Sequence, residues 1–244
     1  MNLSLNVRTI IVFIISLFIS SIIYAQETYT FDYQIEYDVS YSNDSLYYAK
    51  GITKNPDRRP KIIYLTNSKD NSYYLKVVKK NELVVQLFFR NNEKFYTNDV
   101  MGKENFNVAD VIEMNCDISQ RYRKFWNSYN NPEYYDLKNI PDTVSNDYNF
   151  KRYDFSIIKH KLDRMQSREE YIVDTSGVNH LPLLTSRTQY SLWKESQKLP
   201  NKIFLEKHSI NEKGEIWRTA RLSSIKSRIL KVSFKSSCFK KQRF

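Results

Sequence analysis

The chain has 244 residues, 38 Lys and Arg against 27 Asp and Glu, a formal net charge of +11, 15% aromatic residues and only four glycines. Glycines so few and so scattered exclude a phosphate-cradling loop and a G-x-S-x-G nucleophile elbow, both of which need glycines close together. The three histidines, His160, His180 and His208, lie more than four residues from one another and from any cysteine, so no metal site of recognisable spacing and no cofactor is expected.

In chain order, the first segment, MNLSLNVRTIIVFIISLFISSIIYA, carries one cation at Arg8, an apolar run from Ile10 to Ile23 and a small residue at Ala25. This is the layout of a secretory signal peptide, 1–25, with cleavage expected after Ala25. The alternative is an uncleaved membrane anchor, which needs about 20 apolar residues; the run here is shorter and broken by serines. Residues 26–244 are then expected to form a single β-rich domain with a basic C-terminal tail, exported to the periplasm or secreted.

The stretch TYTFDYQIEYDVSY, 28–41, alternates strictly. Tyr29, Phe31, Tyr33, Ile35, Tyr37, Val39 and Tyr41 share one face, and polar residues the other, so it reads as a strand with one dry, aromatic side. Residues 41–60 are polar and punctuated by Gly51, Pro56 and Pro60, a loop. The runs 61–67, 72–78, 83–89 and 94–98 are β-branched and aromatic with short polar turns between them, an antiparallel meander.

The period then changes. Val111, Met114, Ile118, Tyr122 and Phe125 recur every three or four residues, which predicts a helix within 107–128. Capping-box pairs at Asn107 with Asp110 and at Asp117 with Gln120 allow either one helix or a second one starting near Cys116. Residues 130–149 read as a proline-punctuated loop, 150–160 and 169–174 as strands, and the passage holding Pro182, Trp193 and Pro200 as irregular. Strand signals at 202–210, 215–224 and 228–235 close the chain around the turn NEKG. The sum is a mainly β protein with one or two helices, a curved antiparallel sheet or half-barrel.

Chemistry is sparse. DTSG, Asp174 to Gly177, lacks the glycine two places after Asp that an aspartic-protease turn needs, and reads as an ordinary turn. Glu169 and Glu170 fall on opposite faces of a strand, a solvated strand end and not an acid/base pair. His180, in a loop beside an apolar patch, is the histidine best placed for a site. The pair Cys116 and Cys238 in an oxidising compartment invites a disulfide, against the alternative of two unpaired thiols.

After Glu215 no acid occurs, while Arg218, Arg221, Lys226, Arg228, Lys231, Lys235, Lys240, Lys241 and Arg243 follow. Such a segment suits an anionic envelope surface, against the plainer reading of a solvated strand face and a frayed tail. Interleaved Trp217, Phe234 and Phe239 would also suit a single-stranded nucleic acid, but export argues against that partner.

A signal peptide ending in YAQ, the aromatic opening strand, the run YLTNSKDNSYYLKV and a Lys-rich closing hairpin together resemble uncharacterised secreted proteins of Bacteroidetes. Some of these, including the GLPGLI family, are similar to the lipoprotein-carrier half-barrel of the LolA type. The resemblance implies a curved antiparallel sheet holding a hydrophobic cargo against a helical lid, and assigns no functional residues. HLPLL at 180–184 is the nearest string to the family signature and has no glycine.

The expected function is a non-enzymatic envelope protein binding an apolar or lipid-like ligand. A structural or adhesive secreted protein, and an enzyme without recognisable motif, are the alternatives. The ligand expectation rests on tyrosine. Its hydroxyl needs a polar partner when buried, so a strand made wholly for a dry core favours Phe, Val and Ile. One end of the aromatic stripe, Tyr33, Ile35 and Tyr37, is therefore expected to line a ligand pocket.

Overall fold

The computed structural model describes residues 27–42, 60–115, 120–121, 132–145, 148–158, 168–235 and 238. The segment read as a signal peptide, Cys116 and most of the second half of the expected 107–128 helix lie outside the described residues.

Twelve strands form one sheet: β1 Glu27–Tyr41, β2 Lys61–Asn67, β3 Asp70–Lys79, β4 Val84–Asn91, β5 Phe95–Gly102, β6 Val111–Glu113, β7 Gln120–Arg121, β8 Tyr135–Ser145, β9 Tyr148–Ile157, β10 Arg168–Val173, β11 Phe204–Ile210 and β12 Ile216–Phe234. Their order is β7-β5-β4-β3-β2-β1-β12-β11-β10-β9-β8, with β6 added in parallel to β12. Among the described residues the path does not close into a barrel, because the end strands β7 and β8 do not pair with each other. All other pairings are antiparallel.

The meander β2 to β5 follows the expected runs closely, since short polar turns leave adjacent strands no choice but to pair antiparallel. The helix expected over 107–128 does not form across 109–115. Instead α1, Lys103–Val108, is a short helix that ends before Ala109, whose backbone is extended. Val111–Glu113 then pairs with Lys231–Ser233, and alternation buries Ile112 and Met114. A free strand edge on β12 outcompetes a helical stripe that had no long-range partner in the local pattern.

The loop expected over 130–149 is largely β8, which runs antiparallel to β9. Its proline signal belongs to a bulge: between Ile140 and Thr143 the strand carries one extra residue, at Pro141–Asp142. Proline is tolerated there, because a bulge releases a backbone N–H from the ladder. The irregular passage holds α2, Arg187–Ser196. Ser186 caps its start by accepting from the Gln189 N–H, and Gln197 ends it in the left-handed region at φ 50° while donating to the Trp193 carbonyl.

Two hydrophobic cores flank this sheet. The first takes Ile62 and Tyr64 of β2 and Tyr74 of β3, and the second takes Leu65, Tyr73, Leu75 and Val77. Successive strand residues face opposite ways, so β2 and β3 are dry on both sides. On β1 the parity does not change. Tyr29 and Phe31 enter the second core, and Ile35, Tyr37 and Val39 enter the first.

One ribbon serves both cores because β1 pairs with β2 only from Tyr33 to Asp38. Its earlier residues pass over the β2–β3 turn, where the Asn67 amide donates to the Thr30 carbonyl at 2.9 Å and the Ser68 N–H to Asp32 Oδ1 at 2.8 Å. The β12 partner accommodates the bend with two register shifts, opposite Phe31/Tyr33 and Glu36/Tyr37.

The end of β12 also bears on the cysteines. The Met114 N–H donates to the Ser233 carbonyl at 3.1 Å, and Cys238 packs against the second core. The chain at Met114 thus runs beside the strand end leading to Cys238, and two further residues span at most about 7 Å. On this ground we propose the Cys116–Cys238 disulfide. Closing so long a loop contributes on the order of 4 to 5 kcal/mol in the chain-entropy model. Alkylation of protein isolated without reductant should label neither cysteine; quantitative labelling of both refutes the bridge.

Candidate functional site

The aromatic stripe of β1 faces the first core over Ile35, Tyr37 and Val39. Its middle is sealed. Residues 181–203, including α2, lie across it and contribute Leu183, Leu184, Tyr190, Trp193, Leu199 and Ile203 to the core that holds Ile35 and Tyr37. This crossing segment is tied to the meander by polar contacts: Leu181 N–H to Ser68 O at 3.1 Å, Asn71 to Pro182 O at 3.0 Å, and Tyr74 and Arg90 to Thr185 O at 2.9 and 3.1 Å.

At Thr185 this segment borders a cleft of about 660 Å³. Its walls come from both wings of the sheet. The meander presents Tyr64, Tyr74, Lys76, Phe88, Arg90 and Tyr96; the opposite wing presents Glu169, Lys207, Ser209 and Arg218, with Tyr41 and Trp217 between. Strands as far apart in the order as β5 and β10 line one cavity, which requires the sheet to curl around it.

Of the three expected pocket residues, none lies on this wall. Ile35 is fully buried opposite Tyr64, and Tyr37, 1% exposed, stacks on Phe204 at 4.7 Å and donates its hydroxyl to the Phe204 carbonyl at 3.0 Å. Tyr37 borders a crevice of about 20 Å³ that shares Tyr64, Lys207 and Arg218 with the cleft lining. Tyr33 meets the ring of His180 edge-on at 5.5 Å, under the crossing segment. The stripe does reach the cleft, but at its other end, through Tyr41. The physical reason is the crossing segment, whose apolar residues no local pattern assigned to this face.

The deep end of the cleft holds an ion pair. Lys207 Nζ lies 2.7 Å from Glu169 Oε2 and 3.2 Å from Thr185 Oγ1, over the Tyr171 ring. Burial pushes the Lys207 ammonium down, with Glu169 opposing the shift. Burial alone would raise the Glu169 carboxyl, but Lys207 and hydrogen bonds from Tyr171 and Gln189 outweigh it and hold the group below its usual range. Glu169 and Glu170 do face opposite ways, as alternation requires. Neither is a solvated strand end: Glu170 is buried against Arg152. The signal for Glu169 was present in the spacing Glu169, Tyr171, Val173, which puts the acid on the dry face.

Nearer the mouth, Lys76 lies over the Phe88 ring at 5.4 Å, and Arg90 over Tyr96 at 5.8 Å. Arg218 stands in register between Tyr41 and Ser209. Burial of Tyr64 pushes its hydroxyl up to about 12, so the wall presents it neutral.

The other singled-out residues are structural. His180 is buried, its Nε2 2.8 Å from Thr66 Oγ1, and burial lowers its pKa. In the DTSG turn, Asp174 Oδ1 accepts from the Ser176 N–H at 2.8 Å. Among the described residues no group of His, Cys, Asp and Glu is placed to hold a metal ion.

Several cations of the C-terminal run are engaged within the protein. Arg221 pairs with Glu206 at 2.8 Å, Lys226 with Glu36 at 3.4 Å and Lys235 with Glu113 at 3.1 Å, while Arg228 donates to Gln34 and to the Phe106 carbonyl. Lys240, Lys241 and Arg243 lie outside the described residues.

No protein-family model matches the chain, and no curated protein matches it. Among solved structures it is similar to a chain from the complex of MucA and MucB of Pseudomonas aeruginosa, at a TM-score of 0.37 and 11% identity, over 80% of this chain and 51% of that one. This chain thus spans about half the length of the one it matches. Among the described residues, no helix is long and apolar enough to cross a membrane.

Proposed function

We propose that the protein is an exported, non-enzymatic envelope protein that holds an apolar or lipid-like ligand in the cleft between the two wings of its sheet. The observation that carries this reading is the cleft itself: about 660 Å³, open at one side, and walled by Tyr41, Tyr64, Tyr74, Phe88, Tyr96 and Trp217. Ligand sites have volumes of roughly 300 to 1,000 Å³ with mainly apolar and aromatic linings. Tyrosine suits such a wall, since its ring offers apolar area and its hydroxyl stays satisfied at the edge. Tyr74 illustrates this, with its ring on the cleft and its hydroxyl on the Thr185 carbonyl.

The test is uptake of Nile red, a neutral apolar dye, by the purified protein. Saturable binding with blue-shifted emission is expected, and Phe88→Asp should weaken it about tenfold or more by placing a charge on the apolar wall. Absence of saturable uptake by the unmodified protein overturns the ligand reading and favours a structural or adhesive role.

A further inference from the structure

The charges that share the cleft do not balance. Among the described residues its lining holds four cations, Lys76, Arg90, Lys207 and Arg218, and one acid, Glu169. Glu169 is committed to Lys207 at 2.7 Å and further held by Tyr171 and Gln189. Lys76, Arg90 and Arg218 therefore face the same cavity with no carboxylate among the described residues paired to them. Arg90 has a carbonyl partner in Thr185 and an aromatic one in Tyr96; Lys76 has, among the described residues, the Phe88 ring.

These cations feel one another. The Lys76 ammonium is lowered first by burial and then by the charges of Arg218 and Arg90. Like charges crowded at a partly desolvated wall repel, and water screens them less than at an open surface. Evenly aromatic surroundings offer the cations ring faces but no counter-charge. An anion entering the cleft would relieve the repulsion and gain charge-assisted hydrogen bonds, with Arg90 and Arg218 able to present planar forks to a carboxylate or phosphate.

We infer that the ligand is an anionic amphiphile, an apolar chain ending in a carboxylate or phosphate group that is received by Lys76, Arg90 and Arg218 at the cleft. This rests on the ligand reading above and adds the chemistry of the head. The aromatic rings of Tyr41, Tyr64, Phe88 and Trp217 contact the chain. The Glu169–Lys207 pair closes the deep end as an internally neutral floor, so the unbalanced charge sits on the two facing walls.

The experiment compares three probes by isothermal titration calorimetry with the full chain: lauric acid, lauryl alcohol and acetate. Lauric acid should bind at least about tenfold tighter than lauryl alcohol at low salt, the difference expected from a charge-assisted contact, and the gap should shrink as salt is raised. Acetate, the head without the chain, should bind far more weakly than either. Lys76→Gln and Arg218→Gln should each narrow the acid-to-alcohol ratio, weakening lauric acid binding more than lauryl alcohol binding.

Equal affinity for acid and alcohol overturns the anionic head while leaving the apolar reading standing. Binding of neither overturns both. Acetate bound as tightly as lauric acid would make this a small-anion site and overturn the amphiphile.

Discussion

Lys207→Met is expected to destabilise the protein by about 3 to 5 kcal/mol in urea denaturation, the range for breaking a buried ion pair by removing one partner. Lys207 is 5% exposed, and its ammonium is the counter-charge of a carboxylate enclosed by Tyr171, Gln189 and the crossing segment. Methionine keeps the stem volume but leaves Glu169 ionised and unmatched. The double variant with Glu169→Leu should recover most of the loss, since an apolar pair of similar volume avoids the desolvation cost of both charges. A single variant as stable as the parent would mean that water already solvates the pair.

The same pair dictates a dependence on pH. In the native protein the Glu169 carboxyl is held below its usual range, so its contribution to stability is full above the unfolded value of about 4.3 and is lost as pH falls through the native value. In Lys207→Met the sign reverses. Without the ammonium, burial raises the carboxyl, the native state then takes up a proton more readily than the unfolded chain, and the deficit against the parent narrows on acidification. Denaturation midpoints of the two proteins should converge between about pH 6 and pH 3; parallel curves would remove the pair as the cause.

Ile35→Trp should destabilise by about 3 kcal/mol or more, at or beyond the upper range for overpacking. Ile35 is fully buried in register with Tyr64 and Ile225, and the crossing segment closes over it. Tyr41→Ala, at the opposite end of the same stripe, should weaken Nile red uptake yet cost only about 1 kcal/mol of stability, because that ring is only partly buried and stands beside Trp217 at 6.3 Å. Measured together by thermal denaturation and dye titration, the two variants should separate core from cleft along one strand. If Ile35→Trp folds normally and blocks uptake, the pocket lies under the crossing segment after all.

What was legible in the sequence was whatever is written in local periodicity. The dry stripe of β1, the meander and the closing hairpin all follow from alternation and turn residues. Across 109–115 the expected helix gave way to a strand, because the pairing of Val111–Glu113 with Lys231–Ser233 is a contact across more than a hundred residues that no local spacing displays. β8 was hidden by Pro141, which reads as a loop signal unless the bulge is known.

The candidate site was less legible still. Its walls are drawn from both wings of a curled sheet, and no window of sequence contains them. Alternation put Tyr41 on the aromatic face of β1, but the pocket was expected at Tyr33, Ile35 and Tyr37, and none of these lines the cleft. What covers them is residues 181–203, an irregular passage whose only strong local marks were two prolines and a tryptophan.

The pairing of β1 with β12 has a bearing on how the chain reaches this form. Gln34 and Arg228, hydrogen bonded at 2.8 Å, are 194 residues apart in the chain. Until residues 216–234 are available, the opening strand has a neighbour on one side only, and its first residues have none. The meander β2 to β5 can assemble early from short-range contacts, but both hydrophobic cores include residues of the terminal strand. Each core therefore waits for the same late event, whose entropic cost is that of closing nearly the whole chain into a loop. A nascent chain accordingly leaves the dry face of its opening strand incompletely covered until residues 216–234 arrive, and the two cores become complete together.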